Sequence, residues 1–294
     1  MRAWLASDAM DRRRFLLLLA AGLAGAAVTH GAEQLPVAEA ATSRPPRRQT
    51  PAPAAAQQPA GPAPDAGGLV PADPPVGVVS SLPGEGTALA LTIDDGVSDE
   101  VVGAYARLAA DTGIRLTFFP NGCYRSWTDR APVLRPLVDS GQVALGNHTW
   151  SHPDLTTLAD ADVAAEIGRN RAFLQDTFGA GSTPFFRPPY GARDERVDRI
   201  AADQGHPTVV MWNGTLGDDR LLSGEELLGY ARQWFAAQAI VIGHANHPPV
   251  TTVYGQLLDL IAERGLRTVT LADVWTRRAD RLRGLSGSAV VPVR

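Results

Sequence analysis

Residues 88–96 read Ala88-Leu89-Ala90-Leu91-Thr92-Ile93-Asp94-Asp95-Gly96. A short apolar run that stops on two carboxylates and a glycine reads as a strand handing polar groups to a loop. The pattern recurs along the chain. Val101–Ala110 has helical spacing and stops at Gly113; Leu116–Phe119 is a second strand; Pro132–Ser140 is a helix stopped by Gly141. Val143–Leu145 is a third strand that runs out at Gly146-Asn147-His148, and Asp160–Phe178 is a long amphipathic helix. Phe185-Phe186 leads into Arg187-Pro188-Pro189-Tyr190-Gly191, then a helix over Asp194–Gln204 and a strand over Thr208–Trp212. Gly224–Ala237 is helical, Ala239–Ile242 is a strand ending at Gly243-His244, Tyr254–Arg264 is helical, and Leu266–Leu271 is the last strand. Seven strands alternating with helices predict parallel pairing, in either a doubly wound sheet or a barrel.

Composition narrows the chemistry. The chain has 294 residues, 45% of them hydrophobic and 20% charged, so a globular core is available and wholesale disorder is excluded. The net charge of -4 gives no basic footprint for nucleic acid, and no nucleic-acid partner is expected. All 27 basic residues are arginine, which excludes Schiff-base lysine chemistry and phosphate loops that need lysine. The single cysteine, Cys123, excludes an intrachain disulfide, a cysteine zinc knuckle and an iron–sulfur cluster. Cys123 itself reads as a small hydrophobe or as a thiol near the loop cluster.

The ends of the chain read differently. Residues 1–40 carry Arg12-Arg13-Arg14-Phe15-Leu16, an apolar run to Val28 and a small-x-small site at Ala38-Glu39-Ala40, the form of an export signal. The paired arginines before Phe15-Leu16 favour the twin-arginine route, with a general secretory signal as the alternative. The apolar run is too short for a standard membrane span, so membrane contact is expected only through this segment where it stays uncleaved. Residues 41–87 hold 11 of the 23 prolines and read as a Pro/Ala-rich spacer. Residues 88–276 are the expected catalytic domain, and 277–294 a basic C-terminal tail. An exported protein, extracellular or wall-associated, and a monomer, is the expectation.

Polar residues gather where strands end. Asp94, Asp95, His148, Arg187 and His244 each follow a strand, and His148, His152, His244 and His247 occupy two such loops. In β/α barrels the loops after the strands form one catalytic mouth. His148 and His152 are four apart, so two imidazoles can face one ion; satisfied core histidines are the alternative. Thr149 stands where a zincin His-Glu-x-x-His site needs Glu, which excludes that motif. With the Asp pair added, one carboxylate can serve as a third ligand and the other as a base. A two-His-one-carboxylate iron site is a further reading of the same set.

Four ordered motifs then carry a resemblance: Thr92-Ile93-Asp94-Asp95-Gly96, His148-Thr149-Trp150-Ser151-His152, Arg187-Pro188-Pro189-Tyr190-Gly191 and Ile242-Gly243-His244. Leu116-Thr117-Phe118-Phe119 and Gly146-Asn147 match too. The chain resembles the NodB-type polysaccharide deacetylases, carbohydrate esterase family 4, over about residues 88–275. The resemblance implies an α/β fold, a distorted (β/α)7 barrel. It implies metal-dependent N-deacetylation of an N-acetylglucosamine polymer such as peptidoglycan, chitin or a surface glycan. Asp95, His148 and His152 would hold a divalent metal, zinc first, with cobalt or nickel as alternatives. Asp94 would be the general base, His244 the acid, and Arg187 would pair with Asp94 and keep it ionised. A surface ion pair for Arg187 and a buried strand-end role for His244 are the bland alternatives. Tyr190, Pro189, Ile242, Trp212 and Asp218 would form the substrate and oxyanion side. An O-acetyl (xylan) esterase and a non-catalytic glycan-binding protein are the competing functions.

One segment departs from the family. Its fourth motif has an Asp and then an Asp-Trp pair, whereas this chain reads Trp212-Asn213-Gly214-Thr215-Leu216-Gly217-Asp218-Asp219. Thr215 stands where the first Asp would, and Asp219 where the Trp would. The resemblance gives that first Asp the task of orienting and charging the catalytic histidine. Its loss predicts a His244 less readily protonated unless Asp218 compensates, and the loss of the Trp, which walls an acetyl pocket in the family, predicts a pocket that is more open or differently built.

Overall fold

The computed structural model describes residues 71–276. The stretches read as export signal (1–40), most of the spacer (41–70) and the basic tail (277–294) lie outside the described residues. In chain order the elements are β1 (Gly77–Val79), β2 (Ala88–Asp95), α1 (Asp99–Thr112), β3 (Leu116–Pro120), α2 (Arg125–Asp129), α3 (Ala131–Asp139), β4 (Val143–Leu145) and α4 (Asp160–Phe178). There follow β5 (Phe185–Phe186), α5 (Glu195–Asp203), β6 (Thr208–Val210), β7 (Gly214–Thr215), α6 (Gly224–Trp234), β8 (Ala239–His244), α7 (Tyr254–Glu263), β9 (Arg267–Thr268) and α8 (Leu271–Val274).

Strand β2 is the axis of the molecule. All eight of its residues are buried, and it pairs in parallel with β3 on one edge and β8 on the other. Successive side chains of a strand point to opposite faces. Leu89, Leu91 and Ile93 accordingly join the core shared with α1, α3, α6 and α7, each burial contributing about 1.5–3 kcal/mol. Ala88 and Ala90 face the other way, into a cluster with Phe119, Phe185 and Ile240. Thr92 and Asp94 continue that second face. Small residues are needed there because the interior also holds Phe119, Phe185 and Arg187, all essentially inaccessible.

The strands close into a split barrel. One sheet runs β4-β3-β2-β8-β7 and a second runs β1-β6-β5, with a single parallel bridge, Asn147 to Phe186, joining them on the β4–β5 side. On the other side the chain itself makes the join. The strand expected over Thr208–Trp212 is shorter, β6 at Thr208–Val210 paired with β5, and after Asn213 the chain pairs with β8 as β7, a strand the sequence reading does not predict. Asn213 draws it across, since its N–H donates to the Ile240 carbonyl (3.1 Å) and its Oδ1 accepts from the Ile240 N–H (2.9 Å). Strand β9 is shorter than the Leu266–Leu271 run suggests. Thr270 leaves the strand to cap α8 in a reciprocal box with Asp273, and β9 only extends the starting edge of β2.

The spacer also ends earlier than its proline content suggests. Within 41–87, Gly77–Val79 pair in parallel with Thr208–Val210, and Leu82 is buried. The prolines flank this strand rather than interrupt it, so every donor the pairing needs is present.

Candidate functional site

Chain segments leaving the C-terminal ends of β2, β4, β5 and β8 meet around a cleft of ≈ 640 Å³. Asp94, Asp95, His148, His152, Tyr190, Trp212, Ile242 and His244 all line it. Strand alternation alone would send Asp94 and Asp95 to opposite faces. Asp95 escapes that rule through a left-handed backbone (φ 68°), which turns its carboxylate back to the mouth beside Asp94. The next residue must be glycine: Gly96 has φ 97°, and a Cβ there would lie 2.2 Å from Trp127 Nε1. That indole in turn donates to the Asp95 carbonyl at 2.7 Å and locks the turn.

Strain is concentrated here. Five non-glycine residues among those described have positive φ, and four of them are Asp95, Thr149, His152 and Tyr190. Each costs of order 1–3 kcal/mol and persists only where its surroundings over-determine it. The surroundings are visible. Asn147 Oδ1 accepts from the Thr149 N–H (2.9 Å) and from Asn170 Nδ2 (3.0 Å), Asn121 Nδ2 donates to the Thr149 carbonyl (3.2 Å), and Thr149 Oγ1 accepts from the His152 N–H (3.2 Å).

The histidine pair faces Asp95. His148 Nε2 and His152 Nε2 each lie 3.3 Å from Asp95 Oδ1. His148 Nδ1 sits 2.7 Å from the Arg187 carbonyl, which can only accept, so Nδ1 carries the proton and Nε2 presents its lone pair. Asp95 Oδ1 is buried without a hydrogen-bond partner, and one ligand atom from each of the three residues falls within 4.8 Å of the others. In a tetrahedron with bonds of about 2.0–2.1 Å, ligand atoms stand about 3.3–3.4 Å apart. The donor set therefore fits a divalent cation. Burial alone would raise the Asp95 pKa, but His148 and His152 in their protonated forms outweigh it and hold the carboxyl well below its usual range.

Asp94 has a different partner. Arg187, wholly buried, donates from Nη1 to Asp94 Oδ1 (2.7 Å) and to Thr92 Oγ1 (2.9 Å), and from Nε to the Val210 carbonyl (3.0 Å). Its guanidinium lies 4.3 Å over the Phe119 ring. The surface-pair alternative for Arg187 is thereby corrected: the residue is part of the barrel interior, stacked and hydrogen-bonded. Asp94 Oδ2 is left facing the cleft, 3.7 Å from His148 Nε2.

Across the cleft, His244 Nδ1 is 3.0 Å from Asp218 Oδ1, and the His244 N–H donates to Asp218 Oδ2 at 3.0 Å. Burial disfavours the imidazolium, but the buried Asp218 with Asp94 and Asp95 more than offsets it, and the His244 pKa is pushed up to about 9. Asp218 thus compensates for Thr215, which lines the cleft but has no contact with His244 among the described hydrogen bonds. Asp219 also lines the cleft; it is half exposed or more and lies 3.6 Å from Arg220. Pro189 and Asp218 are both buried, and neither is among the residues that line the cleft. His247 starts the turn at Pro248–Thr252 and is not among the cleft residues.

Sequence reasoning passed over Thr92, Tyr124 and Asn246. Thr92 could have been found as the polar residue two before Asp94 on the inner face. Asn246 sits two residues after a strand end, where the other site residues cluster, and its side chain donates to Asp95 Oδ2 at 2.7 Å.

Comparison with known proteins agrees with this geometry. The family model described as polysaccharide deacetylase matches residues 82–209, which include Asp94, Asp95, His148, His152, Arg187 and Tyr190. An uncharacterised protein of Streptomyces coelicolor is 31% identical over 196 residues, 62% of this chain and 70% of that protein. Chitin deacetylase 3 of Cryptococcus neoformans is 36% identical over 139 residues, 47% of this chain and 33% of the relative. The chain spans about half or less of the length of the curated chitin deacetylases it matches. The chitin deacetylase structure from Colletotrichum lindemuthianum shares the fold, with a TM-score of 0.61 and 23% identity, covering 70% of this chain and 95% of that one. On the strength of the matched motifs, the relative covered over most of its length and the shared distorted barrel, this chain belongs to the polysaccharide deacetylase family.

Proposed function

We propose that this chain removes N-acetyl groups from an N-acetylglucosamine-containing polysaccharide, with zinc as its divalent metal. The observation that carries the reading is Asp95 Oδ1, buried, without a partner, and 3.3 Å from both histidine Nε2 atoms, beside an Asp94 that Arg187 holds by its other oxygen. A divalent cation held by Asp95, His148 and His152 supplies Lewis-acid activation of water and of the acetamide oxygen. Asp94 Oδ2 takes the proton from the attacking water. The Tyr190 backbone N–H donates to the developing oxyanion. His244, kept on Asp218 through Nδ1, delivers a proton from Nε2 to the nitrogen as the amide C–N bond breaks. The products are acetate and a free amine.

The raised pKa of His244, about 9, favours an amide over an ester substrate. An amine must be protonated to leave, whereas an alkoxide leaves more readily. Pro189, Ile242 and Trp212 would shape the acetyl side of the cleft. The Arg12-Arg13-Arg14-Phe15-Leu16 segment supports export, and the chain would act on acetylated glycan as a monomer, extracellular or wall-associated. Among the described residues no helix is long and apolar enough to cross a membrane. Acetate release from chitooligosaccharides, peptidoglycan and acetylxylan, measured in parallel on the zinc-loaded chain, tests the reading. Release from either of the first two supports it. Release from acetylxylan alone makes the chain an esterase, and release from none makes it a binding protein.

A further inference from the structure

Asn246 lies on the loop after β8, lines the cleft, and makes two hydrogen bonds that fix its amide completely. Its Oδ1 accepts from the Val97 N–H (3.2 Å), and its Nδ2 donates to Asp95 Oδ2 (2.7 Å). A backbone N–H can only donate and a carboxylate can only accept, so the amide cannot be flipped. The consequence falls on Asp95. One oxygen is occupied by Asn246, and the other, Oδ1, is the buried atom without a partner that faces both histidines. The two loops are tied elsewhere as well: the Ala245 N–H donates to the Asp94 carbonyl (3.0 Å) and the Ser98 N–H to the Ala245 carbonyl (3.0 Å).

We propose that Asn246 is a positioning residue that makes Asp95 a one-oxygen ligand, by holding Oδ2 away from the ion and leaving Oδ1 alone to bind it. A carboxylate free to rotate could bring both oxygens to a cation, which fills a coordination position that water and substrate need. Partners that orient a ligand from behind typically change metal affinity by about 10- to 100-fold when removed. The inference rests on the metal-site reading above, but not on the identity of the substrate.

The test compares the full chain with Asn246→Ala and Asn246→Asp. The aspartate variant keeps the shape and can still accept from the Val97 N–H, but when ionised it cannot donate to Asp95. Zinc affinity is measured by competition with a chelator, the absorption spectrum is recorded on cobalt-loaded protein, and melting is followed on metal-free protein. The expected result is zinc affinity lower by about 10- to 100-fold in the alanine variant and a changed cobalt spectrum in both, with melting on metal-free protein showing that each variant is folded. Unchanged affinity and an unchanged spectrum in the folded variants would overturn the role of Asn246. A parent chain that binds neither zinc nor cobalt would instead overturn the metal-site reading on which it rests. Should the alanine variant fail to fold, the cobalt spectrum of the aspartate variant decides alone.

Discussion

Replacing Asp218 by Asn probes the acid side of the cleft in isolation. The substitution keeps the side-chain shape and removes one charge 3.0 Å from His244 Nδ1. In the parent, the His244 pKa stands at about 9 against an ordinary histidine value of 6.5, a bias of about 3 kcal/mol towards the imidazolium at 1.36 kcal/mol per unit. The folded value is raised, so that stabilisation is fully present below pH 6.5 and is lost as pH rises through about 9. With Asp218 neutral, burial is opposed only by Asp94 and Asp95, and the pKa falls by about two units or more. At pH 8 the protonated fraction then drops from about 0.9 to roughly 0.03–0.1, whereas at pH 6 it stays above about 0.7. The assay is kcat/KM for acetate release between pH 5.5 and 9.5. The alkaline limb of the profile should move down by about two units, with a loss of about 10- to 30-fold at pH 8 and less than about twofold at pH 6. An alkaline limb that stays in place, or an equal loss at both pH values, would refute the assignment of the acid to the His244–Asp218 pair.

Other perturbations test the fold beneath the site. Arg187→Met leaves Asp94 buried and unpaired, and chemical denaturation should show a loss of about 3–5 kcal/mol. Gly96→Ala places a Cβ against Trp127 at a backbone conformation that L-residues avoid, and melting should show destabilisation at or above about 1–3 kcal/mol with loss of metal binding. Adding zinc at about 1,000 times its Kd should stabilise the chain by about 4 kcal/mol, a gain that a chelator reverses and that His148→Ala abolishes.

Much of this architecture is legible in one octapeptide. The alternation Ala-Leu-Ala-Leu-Thr-Ile-Asp-Asp sorts large residues to the helices and small or polar ones to the barrel interior, and it ends on the two carboxylates of the cleft. His148, His152, Arg187 and His244 are legible for the same reason, as polar residues at strand ends. The parts that escape reading are those set by tertiary context. Strand β1 hides among prolines because its partner, β6, lies about 130 residues downstream, and the division between β6 and β7 depends on the Asn213 amide meeting Ile240. Motif spacing places Thr215 beside the histidine, but Asp218 occupies that place, because the turn after β7 decides which carboxylate reaches His244. Asn246 shares the strand-end position of the others, but an asparagine in a loop has no period, and only the position of Asp95 Oδ2 gives it a task.

The most direct test of the central claim is the acetate and free amine released from chitooligosaccharides or peptidoglycan by the zinc-loaded chain and by its Asp94→Asn variant. The parent should release both products in equal amounts, and the variant should be slower by about 10²- to 10⁴-fold while retaining its zinc. Equal rates in the two proteins, or no release by the parent from either glycan, would contradict the account.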